Sequence, residues 1–385
     1  MDIVYIDSNE SLALSCDTIR LSKVLCVDTE FHRETTYYPE LALVQISNGE
    51  KTCCIDPLSI TDFTPLLAIL NNVNITKVFH ASHQDLEIFN YLFDTLPSPI
   101  FDTQIAAGLL GYGEQIGYAA LMQKELNIDI DKSQTRTDWM KRPLSNEQLL
   151  YAASDVYYLA KAYPKILEKL ESLNRLEWLQ NDFSSLSKPE RYKVDTQSIW
   201  KKVKGNQKLN GEALVMLQAL AAWREETAQT RNRPRRRILP DDALIDIARL
   251  KPETPEKVTQ LRSLNKSRLS SDDASQLIQR MKNAQRLPKE HWPKHAKRHK
   301  LNPREDALVD ALSCVLKLKA DEHNITPLNL ASRKDLEGLL QGQTDIPLMQ
   351  GWRYLHAGQV IEEFLDGKCF LQASSGELVH KNFEV

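Results

Sequence analysis

The chain has 385 residues, 42% of them hydrophobic and 26% charged, with a net charge of −3. That composition is ordinary for a globular protein, and the length allows two or three domains at about 150 residues each. No apolar run approaches the roughly 18 residues of a membrane span, and "MDIVYIDSNESLALSCDT" lacks the basic and apolar regions of a signal peptide, so a cytoplasmic protein without a membrane partner is expected. The net charge hides an asymmetry: residues 1–180 hold 14 Lys and Arg against 25 Asp and Glu, whereas residues 181–385 hold 35 against 27. An acidic front half suits cations, and a basic back half suits a polyanion. The six Cys include the adjacent Cys53 and Cys54 and no CxxC pair, which reads as buried reduced thiols.

In chain order, "VYIDS" is a short strand. "LCVDTEF" and "LALVQISN" are strands, and the Asn48-Gly49 turn leads to another, "KTCCIDP". Together they look like a hairpin meander. "FTPLLAILNN" is a short amphipathic helix, "ITKVFHAS" a buried strand, and "HQDLEIFNYLF" a helix by its apolar spacing. "PIFDTQIAAGLLGY" begins a helix with Asp102 and Thr103 near its start, and "YAALMQKEL" is helical. "SNEQLLYAASDVYYLAKAYPKILEKL" opens on a capping signature, Ser145 with Glu147 and Gln148 in the first turn, and runs long with one apolar face. This order gives an α/β three-layer domain over residues 1–180.

Residues 181–204 read as a polar linker. From 205 to 288 the pattern is helical, with "NGEALVMLQALAAWREETAQTRN" as one amphipathic helix and "PDDALIDIARLKP" and "SSDDASQLIQRMKNAQ" starting on acids. A basic linker spans 289–300. A second helical run, 301–385, repeats the order of the first, which suggests a duplicated module of about 80 residues.

Chemistry enters at "VLCVDTEFHRE". Strand side chains alternate faces, so Asp28 and Glu30 point the same way, and two like charges on one face call for a cation. Alone, the pair also fits a turn residue and a solvated strand end. Asp85 stands at the start of a helix, where the helix dipole also explains it. Tyr151 and Asp155 are one helical turn apart on a partly apolar face. Four carboxylates without nitrogen or sulfur ligands suit hard divalent ions such as Mg²⁺ or Mn²⁺ rather than zinc. Two such ions can serve an in-line phosphoryl displacement. The Tyr151 hydroxyl, a poor base at neutral pH, is suited to orienting the attacking water. His80 and Gln84 read as structural support, and Asp102 as a helix cap.

"VDTEF", "HASHQDLEIF" and "YAASDVYYL" together resemble the three motifs of the DEDD superfamily of 3′→5′ exonucleases, Tyr subtype. The stretch from "FDTQIAAGLLGYG" to "YAASDVYYL" looks like the ribonuclease D family, and the helical runs resemble tandem HRDC domains. The resemblance covers nearly the whole chain and shows no departure at the motif positions. It implies a ribonuclease H-like three-layer α/β exonuclease domain followed by two all-α HRDC-type bundles. It also implies that Asp28, Glu30, Asp85 and Asp155 hold two divalent metal ions while Tyr151 positions the water. The substrate implied is RNA with a free 3′ end, including precursor tRNA, released as 5′-mononucleotides by a monomer. A DNA exonuclease and a non-catalytic nucleic-acid scaffold are the alternatives.

Thr29 and Phe31 flank the acidic pair and are candidate contacts to the terminal nucleotide. "RNRPRRR" places Arg231, Arg233, Arg235, Arg236 and Arg237 between two helices, a candidate phosphate-binding run in the basic half. "PKHAKRHK", Pro293 to Lys300, is a second basic run, and Trp292 beside it could stack on a base.

Overall fold

A computed structural model describes residues 1–131, 133–135, 137–264, 269–295 and 300–383. The chain divides into two compact units. The first comprises residues 1–30, 41–191 and 299–385, the second residues 31–40 and 192–298.

The first unit is built on a mixed six-stranded sheet. Its elements begin β1 (Ile3–Ile6), α1 (Asn9–Ile19), β2 (Val24–His32), β3 (Glu40–Ser47), β4 (Thr52–Ile55), α2 (Thr64–Leu70), β5 (Thr76–Phe79) and α3 (His83–Phe93). They continue with β6 (Ile100–Asp102), α4 (Thr103–Gly108), α5 (Tyr118–Leu126), α6 (Asn146–Ser172) and α7 (Gln180–Leu186). The strand order is β1-β4-β3-β2-β5-β6. The β3–β4 pair is antiparallel, as the turn at Asn48-Gly49 requires, while β1 joins β4, β5 joins β2 and β6 joins β5 in parallel. Every residue of β4 and all but Glu40 of β3 are buried, so both faces of this part of the sheet are covered. The long helix α6 starts at the expected capping box, Ser145 with Gln148.

Helix α1 and strand β6 were not anticipated from the sequence. The strand is three residues long, too short to display a period, and the chain enters α4 directly from it. The meander holds for β2, β3 and β4, but β1 adds to its edge in parallel.

The second unit is a helical bundle of α8 (Gly211–Thr230), α9 (Arg235–Ile238), α10 (Asp241–Leu250), α11 (Pro255–Thr259) and α12 (Ser271–Gln285). Leu214 to Leu217 are all buried, the mark of a central helix surrounded by its neighbours. Residues 31–40 are stapled into this unit: Asn232 Oδ1 accepts from the backbone N–H of Tyr37 and of Tyr38, each at 3.0 Å, and the Tyr37 hydroxyl meets Glu225.

Residues 300–383 pack within the first unit as α13 (Pro303–Glu322), α14 (Arg333–Leu340), α15 (Gly351–Arg353) and α16 (Gln359–Leu365), then β7 (Cys369–Ser374) and β8 (Glu377–Asn382). The closing antiparallel hairpin corrects the all-helical expectation for this segment. Its signal was legible: "CFLQA" and "ELVHK" flank Ser375-Gly376, both at positive φ, 53° and 87°, as a two-residue hairpin turn demands. Of the second basic run, residues 296–299 lie outside the described residues. No helix among the described residues is long and apolar enough to cross a membrane.

Candidate active site

The structure brings the motif residues together. Asp28 and Glu30 sit half-buried on β2, Asp85 in the first turn of α3 is buried, and Tyr151 and Asp155 lie one turn apart on α6. Their electrostatics record the proximity. Burial, reinforced by Asp28, Asp155 and Asp85, pushes the Glu30 carboxyl up to about 9. Burial likewise raises Asp28 to about 7, opposed by the Thr29 backbone N–H. Asp85 and Asp155 stand well above the usual carboxylate range, chiefly through burial and then through Asp28. Like charges gathered out of water are tolerated when they take up protons or a cation.

As the side chains stand, no group of three His, Cys, Asp or Glu among the described residues is arranged to hold a metal ion. Asp85 is turned toward Thr29, whose hydroxyl donates to its Oδ1. The donor set itself fits a hard divalent cation: four carboxylates, no soft ligand, and a mutual repulsion that a cation would cancel.

The Tyr151 hydroxyl is pushed up to about 12, by burial first and then by Asp155. It therefore stays protonated and can orient a water but not deprotonate it. Thr135 Oγ1 lies 3.5 Å away, and the ring packs on Trp139 with centroids 6.0 Å apart. Trp139 and its support escaped the sequence reading. Arg142 Nη1 donates to the Trp139 carbonyl at 2.7 Å, while its Nε and Nη2 fork onto the Asp56 carboxylate, both bonds 2.7 Å. The fork and the Tyr5 hydroxyl outweigh burial and hold Asp56 at about 2. Arg142 stands between the motifs, and nothing in its immediate neighbours signals this task.

A cavity of about 310 Å³ opens beside the acidic cluster, with Asp28, Asp155, Tyr151, Tyr118, His80 and Thr135 in its wall. His80 Nδ1 lies 3.0 Å from Thr103 Oγ1, so it supports structure as expected, while its residue also lines the cavity. Thr29 is assigned differently from the expectation: its side chain is buried and holds Asp85, which removes it as a side-chain contact for the nucleotide. Phe31 is a half-buried residue near the end of β2.

The arginine run is split in the second unit. Arg231 forks onto Asp273 at 3.0 and 2.5 Å. Arg235 binds the fully buried Glu225 and, at 3.0 Å, the Tyr37 hydroxyl. Those two side chains hold the bundle, so the phosphate-binding expectation narrows to the exposed Arg233, Arg236 and Arg237, which have no ion-pair partner among the described residues. Trp292 Nε1 donates to the Leu287 carbonyl at 3.0 Å.

A 3′-5′ exonuclease family model matches residues 3–171, and an HRDC domain model matches residues 213–279. A Bartonella henselae protein named Ribonuclease D is 39% identical over 376 residues, covering 97% of this chain and 92% of that protein. The chain belongs to the ribonuclease D family. Ribonuclease D of Gluconacetobacter diazotrophicus is 37% identical over 373 residues, 96% of this chain and 94% of its own length. The crystal structure of Escherichia coli RNase D, an exoribonuclease involved in structured RNA processing, matches with a TM-score of 0.83 and 31% identity, over 95% of this chain and 99% of that one. The ribonuclease D assignment makes the protein a hydrolase, a 3′→5′ exoribonuclease, with a mixed α/β nuclease domain followed by a helical HRDC domain.

Proposed function

We propose that this ribonuclease D removes nucleotides from the 3′ end of RNA as 5′-mononucleotides, precursor tRNA among its substrates, with Asp28, Glu30, Asp85 and Asp155 holding two divalent ions, Mg²⁺ or Mn²⁺. When bound, such ions lower the pKa of water and oppose the charge that develops on the attacking and leaving oxygens. The protein's residues do the positioning. β2 presents Asp28 and Glu30 from a rigid strand, Thr29 orients Asp85, and the protonated Tyr151 hydroxyl aligns the incoming water. The cavity beside them takes the terminal nucleotide, with Phe31 as a further contact. Arg233, Arg236 and Arg237 bind the phosphates of the RNA body. In this reading the enzyme is a cytoplasmic monomer, its nuclease domain ends near residue 180, and residues 205–288 and 301–385 are two related HRDC-type modules.

The observation that carries the proposal is the Glu30 carboxyl, raised to about 9 by burial and by three neighbouring carboxylates. Such an arrangement must either retain protons or hold a cation, and a divalent cation lets all four carboxylates ionise together. The test is a gel assay of 5′-labelled single-stranded RNA with Mg²⁺, Mn²⁺ or chelator, alongside the same DNA sequence. A metal-dependent descending ladder on RNA is expected. A ladder on DNA alone would replace the substrate, and binding without cleavage would make the protein a scaffold.

A further inference from the structure

Helix α4 is short, six residues, yet its two ends meet very different partners. At its start the Asp102 carboxylate accepts from the N–H groups of Gln104 and Ile105, at 2.9 and 3.4 Å. The same carboxylate accepts from the N–H groups of Ala81 and Ser82, at 3.2 and 2.8 Å, and from the Ser82 hydroxyl at 2.8 Å. Ser82 precedes α3, which carries Asp85. Also at this end, Gln104 Nε2 donates to the Ile116 carbonyl at 3.0 Å and draws the following loop back. Next in the chain, the Tyr118 hydroxyl reaches the carbonyls of Ser154 and Asp155 at 2.9 and 2.6 Å. The start of α4 is thus tied to the backbone of two of the four carboxylates.

The far end of α4 is held by residues 300–383. Asn329 Nδ2 donates to the Gly108 carbonyl at 2.7 Å, and Arg353 Nε steadies the Asn329 carbonyl at 2.8 Å. Buried Arg175 bridges the two parts, donating to the carbonyls of Leu109 and His323, both at 2.6 Å. The approach is close: a Cβ on Gly108 would stand 3.1 Å from Asn329 Oδ1, near enough that this side chain would have to shift, and one on Gly111, at φ +76°, would stand 2.3 Å from the Asn324 carbonyl oxygen, which demands glycine there. Trp178 stacks on Trp352 with centroids 4.6 Å apart and planes 8° from parallel. Phe101, Leu109 and Ile166 of the nuclease fold share one hydrophobic cluster with Leu312, Leu316 and Ile361.

We infer that the C-terminal module of residues 300–383 is a positioning element of the active site, fixing α4 through Asn329 and Arg175, while α4 fixes the backbone that carries Asp85 and Asp155. The inference rests on those carboxylates being catalytic. Asn329 and Arg175 are positioning residues, since neither reaches the reacting atoms.

The test uses the full chain with Asn329→Ala and, separately, Gly108→Ala. Asn329 is half-buried and accessible to truncation, and alanine favours a helix over glycine, so neither change threatens folding. Three quantities are read: kcat on a dinucleotide, whose single phosphodiester can occupy only the carboxylate site; Mn²⁺ affinity of the RNA-free protein by calorimetry; and affinity for long RNA in chelator. Small misplacements of catalytic groups are costly, so kcat should fall about three- to tenfold on dinucleotide and long RNA alike. Mn²⁺ affinity should weaken in parallel, and long-RNA affinity should stay within about twofold. Unchanged dinucleotide turnover and Mn²⁺ binding would overturn the inference, and a selective loss of long-RNA affinity would make the module an RNA-binding arm. A wild-type protein that neither cleaves RNA nor binds Mn²⁺ would instead refute the catalytic reading.

Discussion

Without metal, raising the pH from 6.5 to 8.5 should weaken the nuclease fold. The Glu30 carboxyl moves from an ordinary value of 4.5 to about 9 on folding, and Asp28 from 3.8 to about 7. The folded chain therefore keeps protons that the unfolded chain releases. A raised folded value gives stability that is fully present below the unfolded pKa and is lost as the pH rises through the folded one, with a slope of about 1.4 kcal/mol per pH unit and group. From pH 6.5 to 8.5 Glu30 accounts for about 2.6 kcal/mol and Asp28 for a further ~0.8, together roughly 3 kcal/mol. In a domain of this size that corresponds to a fall of roughly 6–12 °C in Tm. The half-buried His80, His323 and His356 have lowered values and act in the opposite sense at lower pH, which is why the window starts at 6.5. The assay is scanning calorimetry in EDTA at three pH values, repeated in excess Mg²⁺ and with Glu30→Gln. Mg²⁺ should flatten the dependence by taking the place of the protons, and Glu30→Gln should remove most of it. A pH-independent transition in EDTA, or a slope that Glu30→Gln leaves intact, would refute the reasoning.

Asp28→Asn should lower turnover at least about a hundredfold, beyond the 10- to 100-fold of losing a mere support to a metal ligand, with RNA affinity in chelator unchanged; normal turnover would remove Asp28 from the ligand set. Tyr151→Phe keeps the ring on Trp139 and deletes the hydroxyl, so kcat should fall by about 10²-fold while RNA affinity holds; a loss in affinity alone would make Tyr151 a substrate contact. Neutralising Arg233, Arg236 and Arg237 should reduce the slope of log affinity against log salt by about 2, at roughly 0.7 per phosphate contact on single strands; an unchanged slope would return all three to ordinary surface charge. Arg235→Ala leaves Glu225 buried without its cation, and should cost about 3–5 kcal/mol of stability in the helical bundle by urea titration; a negligible change would mean that Glu225 takes up a proton at little cost.

What the sequence made legible was periodic or local. The alternation in "VDTEF", the helical spacing of Tyr151 and Asp155 and the capping box at Ser145 each declare themselves within a few residues. The unforeseen parts depend on partners distant along the chain. Five closely spaced arginines look equivalent in sequence, yet Asp273 and Glu225 engage two of them in ion pairs. Thr29 looks like a flank of the acidic pair until α3 delivers Asp85 to its hydroxyl. Asp102 reads correctly as a cap, but a cap explains only two of the five donors its carboxylate receives. The other three belong to the approach to α3, and they convert a local helix signal into a brace between two metal-ligand candidates. The same logic applies to Gly108, whose lack of a side chain matters because Asn329 arrives from more than 200 residues later. Catalytic identity is thus written in short motifs, whereas the precision of the site depends on long-range contacts that no motif announces.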